Sequence, residues 1–277
     1  MLSKYAVAVA LLAGALLLAC AKPEPEPTPP STPAADSDPV VTGGLHTVTL
    51  LTSDPAAARE FYAAFGLEPL DLPPVQPGPL RAEAALWNVS EEVAATQLVL
   101  ANRRLAGAPR LRILTVPADS TAVRSSYSAQ ADGGTSLGFA CLPAAQIAGI
   151  VPAATFEVSV PRPDKSGDYT VQERYFHAPE NVLIPCVTRP ADVAPIAPLD
   201  PAVGVGGPAY AGIVVQDVER ELRFYRDGLG LEKKRDMELR QPELLAAAGL
   251  PTDAVVRFVQ VFAPGTTSGQ LTLIDLG

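Results

Sequence analysis

One phrase occurs twice in this chain, and it narrows the fold more than anything else in the sequence. His46–Glu68 reads HTVTLLTSDPAAAREFYAAFGLE, and Ala209–Glu232 reads AYAGIVVQDVERELRFYRDGLGLE. Each opens with a β-branched, apolar run suited to a strand. An Asp follows as helix N-cap, Asp54 or Asp217, with Pro55 in the first helical position of the first copy. Ala57, Phe61 and Phe65 recur at helical spacing, and Leu222 with Phe224 and Tyr225 are placed inward in the second copy. Gly66 in one copy, and Gly228 and Gly230 in the other, end the helix before the next strand. A unit repeated at this length usually cannot bury its apolar face alone, so the copies must pack against other modules.

The match continues past the opening phrase. In both copies a short Ala/Leu-rich helix follows, Leu80–Leu86 or Pro242–Leu250. Two strands then close the unit: Ala95–Ala101 with Arg110–Val116, or Val255–Phe262 with Gln270–Leu276. A weaker unit lies between them, with a strand over Ser136–Leu142, a helix over Pro143–Val151 and strands over Phe156–Val160, Tyr169–Phe176 and Val182–Thr188. The fold class is therefore α+β, built from a repeated strand–helix–strands module. Module one covers 45–117, module two 118–190, a Pro/Gly linker 191–207 and module three 208–277.

The N-terminal end reads differently. Lys4 precedes an apolar run from Ala6 to Leu18, too short to span a bilayer comfortably. The run ends in Leu17-Leu18-Ala19-Cys20, which resembles the bacterial lipobox. That resemblance implies a signal peptide over 1–20, cleavage before Cys20, and lipid on its thiol and amine. With Ala21 rather than Asp next, it further implies sorting to the outer membrane or another periplasm-facing position. Residues 21–44 form a Pro-rich tether that cannot build a core. The formal charge of −9 argues against nucleic acid as a partner.

The repeated modules resemble the vicinal-oxygen-chelate superfamily, which includes glyoxalase I, bleomycin-resistance proteins and extradiol dioxygenases. RYFHAPENVLIPCV, Arg174–Val187, is similar to that family's closing hairpin. The resemblance covers about Gly44 to the end of the chain and implies repeated βαβββ modules that form cupped mixed sheets around a cavity. Fold alone does not carry activity. The family's enzymes hold a divalent metal, such as zinc, iron or manganese, with His or Glu from the first and fourth strands of each module. The matching positions here are Thr47 and Arg112 in module one, Leu137 and Ile184 in module two, and Tyr210 and Thr272 in module three. None is a His or a carboxylate, and a catalytic site of this kind needs about three such ligands. His46 is the one reserve ligand, and it would need the strand to slip by one residue, which turns every side chain to the other face.

These positions imply a small-molecule site built from Thr47, Arg112, Tyr210 and Thr272, with no cofactor, no catalytic residue and no metal. Two other readings stay open: a metal-dependent lyase or dioxygenase with misregistered ligands, and a structural scaffold without a cavity. Cys141 and Cys186 come from strands that are parallel neighbours in the family. They face the same side but sit diagonally, so a disulfide and a pair of free thiols both remain open. Modules one and two can pair within the chain. Module three then lacks a partner module, and its free sheet edge is expected to pair with a second chain in a homodimer, to pack on modules one and two, or to belong to a longer protein of which this chain is a fragment.

The bilayer is the partner expected through Cys20. Cys20→Ala should move the protein from the membrane to the soluble fraction or block its maturation. Unchanged fractionation, with no lipid-sized mass shift on Cys20 in the parent, would refute the anchor.

Overall fold

The first phrase folds as a strand and helix whose boundaries its own residues set. β1 (Thr47–Thr52) leads to α1 (Pro55–Ala63). Asp54 Oδ1 accepts from Ala57 N at 2.9 Å, which satisfies one of the helix's unpaired N–H groups. Gly66, at φ +76°, turns the chain out of the helix. The buried face is Ala58, Tyr62 and Phe65. Ala57, expected inside, is exposed, and Phe61 is only partly covered.

The computed structural model describes residues 43–277 other than 75, 129–132, 144–146, 148 and 162–167. Cys20 and the expected signal and tether lie outside the described residues. Among the described residues no helix is long and apolar enough to cross a membrane. Module one continues through β2 (Glu68–Pro69), α2 (Pro77–Trp87), α3 (Glu91–Ala95), β3 (Leu98–Ala101) and β4 (Arg110–Thr115). Its four strands form a separate sheet in the order β1-β4-β3-β2, with β1 and β4 parallel.

Module two supplies β5 (Gly133–Cys141), β6 (Ala154–Pro161), β7 (Asp168–His177) and β8 (Leu183–Thr188). The helix expected over Pro143–Val151 is absent from that segment's described residues, which are turn and irregular chain. Ala144–Gln146 and Ala148 lie outside the described residues. Module three supplies β9 (Leu199–Asp200), β10 (Val205–Val215), α4 (Val218–Arg223), β11 (Glu232–Leu239), α5 (Pro242–Ala247), β12 (Val256–Phe262) and β13 (Gln270–Asp275). A π-helical turn, Phe224–Gly228, follows α4. Phe224, expected inside, is 57% exposed while Leu222 is buried, because two positions along a helix turn a side chain by about 200° to the opposite face.

Modules two and three share one nine-stranded sheet, ordered β11-β12-β13-β10-β5-β8-β7-β6, with β9 beside β10. Its centre is the antiparallel pair β5–β10. Module three thus packs on module two through β10 and β5, the intrachain alternative, whereas modules one and two do not share a sheet. Module one is instead attached through α1. Phe65 lies 5.0 Å from the Phe139 ring and 5.5 Å, edge-on, from Phe176. The same cluster contains Leu100, Leu111 and Ile113 of module one and Leu137 and Ile184 of module two. The helix thus covers the back of its own sheet and of module two's strands together. Ile147 and Ile150, from the segment expected to be helical, pack in that same layer.

Cys141 and Cys186 are joined by a disulfide in this shared core, with Cα atoms 5.5 Å apart. Cys186 pairs with Phe139 across β5–β8, so the bridge is diagonal yet within ordinary reach. A second tie is polar. The buried Asp200 carboxylate accepts from Asn102 Nδ2 at 3.1 Å, Arg104 Nη1 at 3.2 Å and Ala202 N at 2.9 Å. Burial alone would raise its pKa. The Ala202 N–H and the Asn102 and Arg104 side chains outweigh that and hold it below the ordinary value.

Two predictions follow from these ties. The disulfide closes a separation of 45 residues, so its reduction should destabilise the fold by about 4 kcal/mol on the chain-entropy account. Denaturant melts with and without reductant check this. Asp200→Asn should cost about 1–3 kcal/mol at neutral pH. Because the folded pKa is depressed, the Asp200 contribution is present above the unfolded value of about 4 and fades as pH falls through the folded one. The gap between parent and variant should therefore shrink in melts taken below about pH 4. A gap that widens on acidification contradicts this sign.

Candidate ligand site

The nine-stranded sheet curls, because side chains from strands as far apart as β7 and β12 line one cavity of about 120 Å3. Alternation along each strand selects what enters it. From β7 come Tyr169, Val171, Glu173 and Tyr175, and from β8 Leu183, Pro185 and Val187, with Arg189 just beyond. β10 contributes Tyr210, β13 Gln270 and Thr272, β11 Arg235, and α5 closes one side through Leu244 and Leu245. Tyr210 lies flat across Gly138 of β5, where any Cβ would fall inside its ring. A glycine is therefore required for the aromatic floor.

The charges in this cup are unevenly matched. Arg235 donates to Tyr169 Oη at 3.2 Å and to Gln260 Oε1 at 3.3 Å. Arg189 Nη1 donates to the Ala194 carbonyl at 2.7 Å, and its Cζ sits 5.9 Å from the Tyr169 ring centroid. Among the described residues neither guanidinium is joined to a carboxylate, and Arg189 Nε is buried without a hydrogen-bond partner. Burial lowers the Arg189 pKa, and Arg235 lowers it further against the opposing pull of Tyr169. Two more buried atoms in the cup, Gln270 Oε1 and Thr272 Oγ1, also lack partners.

The single carboxyl among the described residues of the cup is Glu173, on the third strand of module two. Tyr175 Oη donates to its Oε2 at 2.7 Å. Burial raises its pKa more than that hydrogen bond lowers it. Burial and the adjacent Glu173 hold the Tyr175 and Tyr210 phenols well above the usual range. The cup therefore combines two cations without a carboxylate partner among the described residues, a carboxyl with a raised pKa, three phenols and an apolar wall.

The four residues expected to line one site are divided between two sheets. Tyr210 and Thr272 line the cup. Thr47 and Arg112 belong to module one's separate sheet. Arg112 is already neutralised there: Nη1 donates to Glu83 Oε1 at 3.0 Å, Nε donates to Thr49 Oγ1 at 3.1 Å, and Cζ lies 4.1 Å over Trp87. α2 supplies both Glu83 and Trp87, so it caps the face on which Arg112 stands. Leu137 and Ile184, placed in the cup by sequence register, point to the opposite face and pack in the α1 layer. Module two has no described helix cap from which to count, and a slip of one residue exchanges the faces. The corrected cup positions are Ser136 and Gly138 on β5, and Leu183 and Pro185 on β8.

The correction does not create a metal site. No group of three or more His, Cys, Asp or Glu side chains comes together among the described residues. Glycine, proline, leucine and hydroxyl side chains at these places do not suit the divalent metal of the resembled family. The fold thus lacks a complete metal site among the described residues. His46 is exposed, with Nδ1 2.8 Å from Thr47 Oγ1. His177 stacks on Tyr127 at 3.8 Å between centroids. Sequence reading missed Glu173, Arg189 and Arg235. Alternation through Tyr169-Val171-Glu173-Tyr175 was a usable signal, whereas Arg235 was hidden in the charged run EKKRDMEL.

No protein-family model and no curated protein sequence matches the chain. Solved structures do resemble it. A proposed dioxygenase from Bacillus subtilis aligns with TM-score 0.49 and 16% identity over 85% of this chain and 64% of that one, so the chain spans just under two thirds of that protein. Glyoxalase I from Zea mays aligns with TM-score 0.46 and 13% identity over 84% and 67%. A glyoxalase/dioxygenase from Nostoc punctiforme aligns with TM-score 0.35 and 19% identity over 53% and 90%. At these scores the likenesses carry no functional argument; the glyoxalase-like fold rests on the repeated βαβ order and the curled mixed sheet described above.

Proposed function

We propose that this chain is an envelope-tethered binding protein whose cup takes a small anionic ligand, a carboxylate or similar oxyanion, in place of a metal. The observation that carries the reading is the pair Arg189 and Arg235. Two guanidinium groups flank one tyrosine and face a shared cavity, with no carboxylate joined to either among the described residues. Both guanidinium groups are half-buried, and a planar guanidinium fork matches a carboxylate. The raised Glu173 pKa weakens its competition with an anionic ligand as pH falls. The Val158, Val160 and Val171 wall suits a short apolar body on the ligand. The tether places the cup at the periplasmic face of a membrane, as the Cys20 lipobox implies.

A thermal-shift screen of small mono- and dicarboxylates and inorganic phosphate on the folded domain tests this. At least one anion should raise the melting temperature. Arg189→Gln and Arg235→Gln should each weaken that binder about ten- to a hundredfold, as expected for a lost charge-assisted hydrogen bond. Affinity should fall as pH rises through the elevated Glu173 pKa, because the ionised carboxylate then repels the anion. Glu173→Gln should remove that part of the pH dependence. No stabilising anion in the panel, or binding indifferent to both arginine variants, overturns the reading. Stoichiometric zinc, iron or manganese in protein purified without added metal would favour the lyase or dioxygenase reading instead.

A further inference from the structure

A larger cavity lies on the other side of the β5–β10 pair. It measures about 430 Å3, whereas the cup measures about 120 Å3. That volume lies within the range of about 300–1,000 Å3 of pockets for drug-sized ligands, whereas the cup suits only a small anion. One wall is the back of the central strands, presenting Leu137, Ala211, Ile213 and Leu271. The facing wall is β1 itself, and every residue from Thr47 to Leu51 lines the cavity.

β1 is an edge strand, with β4 on one side and no strand on the other. Its hydrogen-bonding directions follow from its ends. His46 O accepts from Arg110 N, and Thr52 O accepts from Val116 N, so the even-numbered residues face β4. Leu45 N, on the outer side, donates to Gly269 O at 2.7 Å. The next outward backbone groups belong to Thr47, Thr49 and Leu51. Among the described residues none of these outward groups has a backbone partner. An unpaired strand edge beside an apolar wall is a template for another strand.

Arg124 stands at the same cavity. It is 6% exposed. Its Nη1 donates to Gly134 O at 3.3 Å and its Nη2 to Ser128 O, while Nε is buried without a partner. Both partners are neutral carbonyls, so the charge is not compensated by a carboxylate among the described residues. Glu180 lines the cavity too, but its Oε1 already accepts from the Thr52 hydroxyl at 2.6 Å.

We propose that this cavity accepts an extended peptide segment as an added strand on the outer edge of β1, with apolar side chains on the Leu137–Ile213 wall and a carboxylate at Arg124. The backbone edge decides between a peptide and an acyl chain. An acyl chain fills the apolar wall but leaves the Thr47, Thr49 and Leu51 amides and carbonyls unmet, whereas a strand satisfies both. The proposal is independent of the cup, because it uses the opposite face of β5–β10 and none of the cup's arginines.

The test uses the folded domain with a Val/Thr-alternating pentapeptide ending in Asp, its C-terminally amidated Val/Thr-alternating counterpart with the Asp replaced by Asn, and decanoate. Amide hydrogen exchange on the parent should show added protection at Thr49 and Leu51 with the acidic peptide. Val48 and Leu50, already directed to β4, should change little. Thr49→Pro removes an outward N–H with no backbone partner among the described residues and also the Oγ1 that accepts from Arg112 Nε, so Thr49→Val serves as the hydroxyl control: Thr49→Pro should abolish the protection and Thr49→Val should keep it. Arg124→Gln should weaken the acidic peptide at least about tenfold, as for a lost charge-assisted bond, and the uncharged peptide much less. No added protection with the acidic peptide overturns the proposal. Equal binding by Thr49→Pro also overturns it, as does decanoate binding in the absence of peptide binding. Because the exchange experiment is made on the parent protein, a variant that fails to fold does not remove the test.

Discussion

The packing of α1 between two sheets is the constraint on which the rest of the molecule depends. Ala58, Tyr62 and Phe65 are fully buried, and their neighbours come from both module one and module two. Removing a phenyl ring from such a position typically costs about 3–5 kcal/mol, because the surroundings collapse only in part. The described part of the β5–β6 connection has no helix with which to cover module two's back face. α1 covers it instead, and the Cys141–Cys186 bridge fastens the two strands that receive it. Module one is thus built into the core as a lid on its neighbour.

That arrangement frees modules two and three to pair through β5 and β10, and the pairing makes the cup. The cup's chemistry follows from what the strand alternation brings to one face. Where the resembled enzymes place imidazole and carboxylate, this chain places a phenol, a hydroxyl, glycine, proline and leucine. What it adds is cationic: Arg189 from the end of β8 and Arg235 from β11 converge on Tyr169. Burial raises the pKa of Glu173, the one acid among the cup's described residues, and so weakens its opposition to the two arginines as pH falls.

Module one's own concave face has been closed by the same logic of pairing. Glu83 and Trp87 on α2 take both the charge and the flat surface of Arg112. A salt bridge and a stacked ring leave little for a ligand to gain there. The module still contributes an edge strand, and the geometry that attaches α1 to sheet two holds that edge across an open space from Leu137 and Ile213.

Local chemistry was legible in the sequence. The repeated strand–Asp cap–helix–Gly phrase defined the α+β modules, because capping and turn residues act within a few positions of where they sit. The absence of His and carboxylate at first- and fourth-strand positions was legible too, and it survived a one-residue change of register in module two. Partner choice was not legible. Each module has a strand edge and an apolar back, and nothing within a module says which neighbour will cover them. Only the tertiary structure decided that β10 joins β5, that α1 covers module two's back face, and that Leu137 and Ile184 face it. Those outcomes depend on which apolar faces are buried together across roughly 70 to 110 residues of chain. Burial is non-directional, so its final pairing is fixed by the whole core and not by any local pattern.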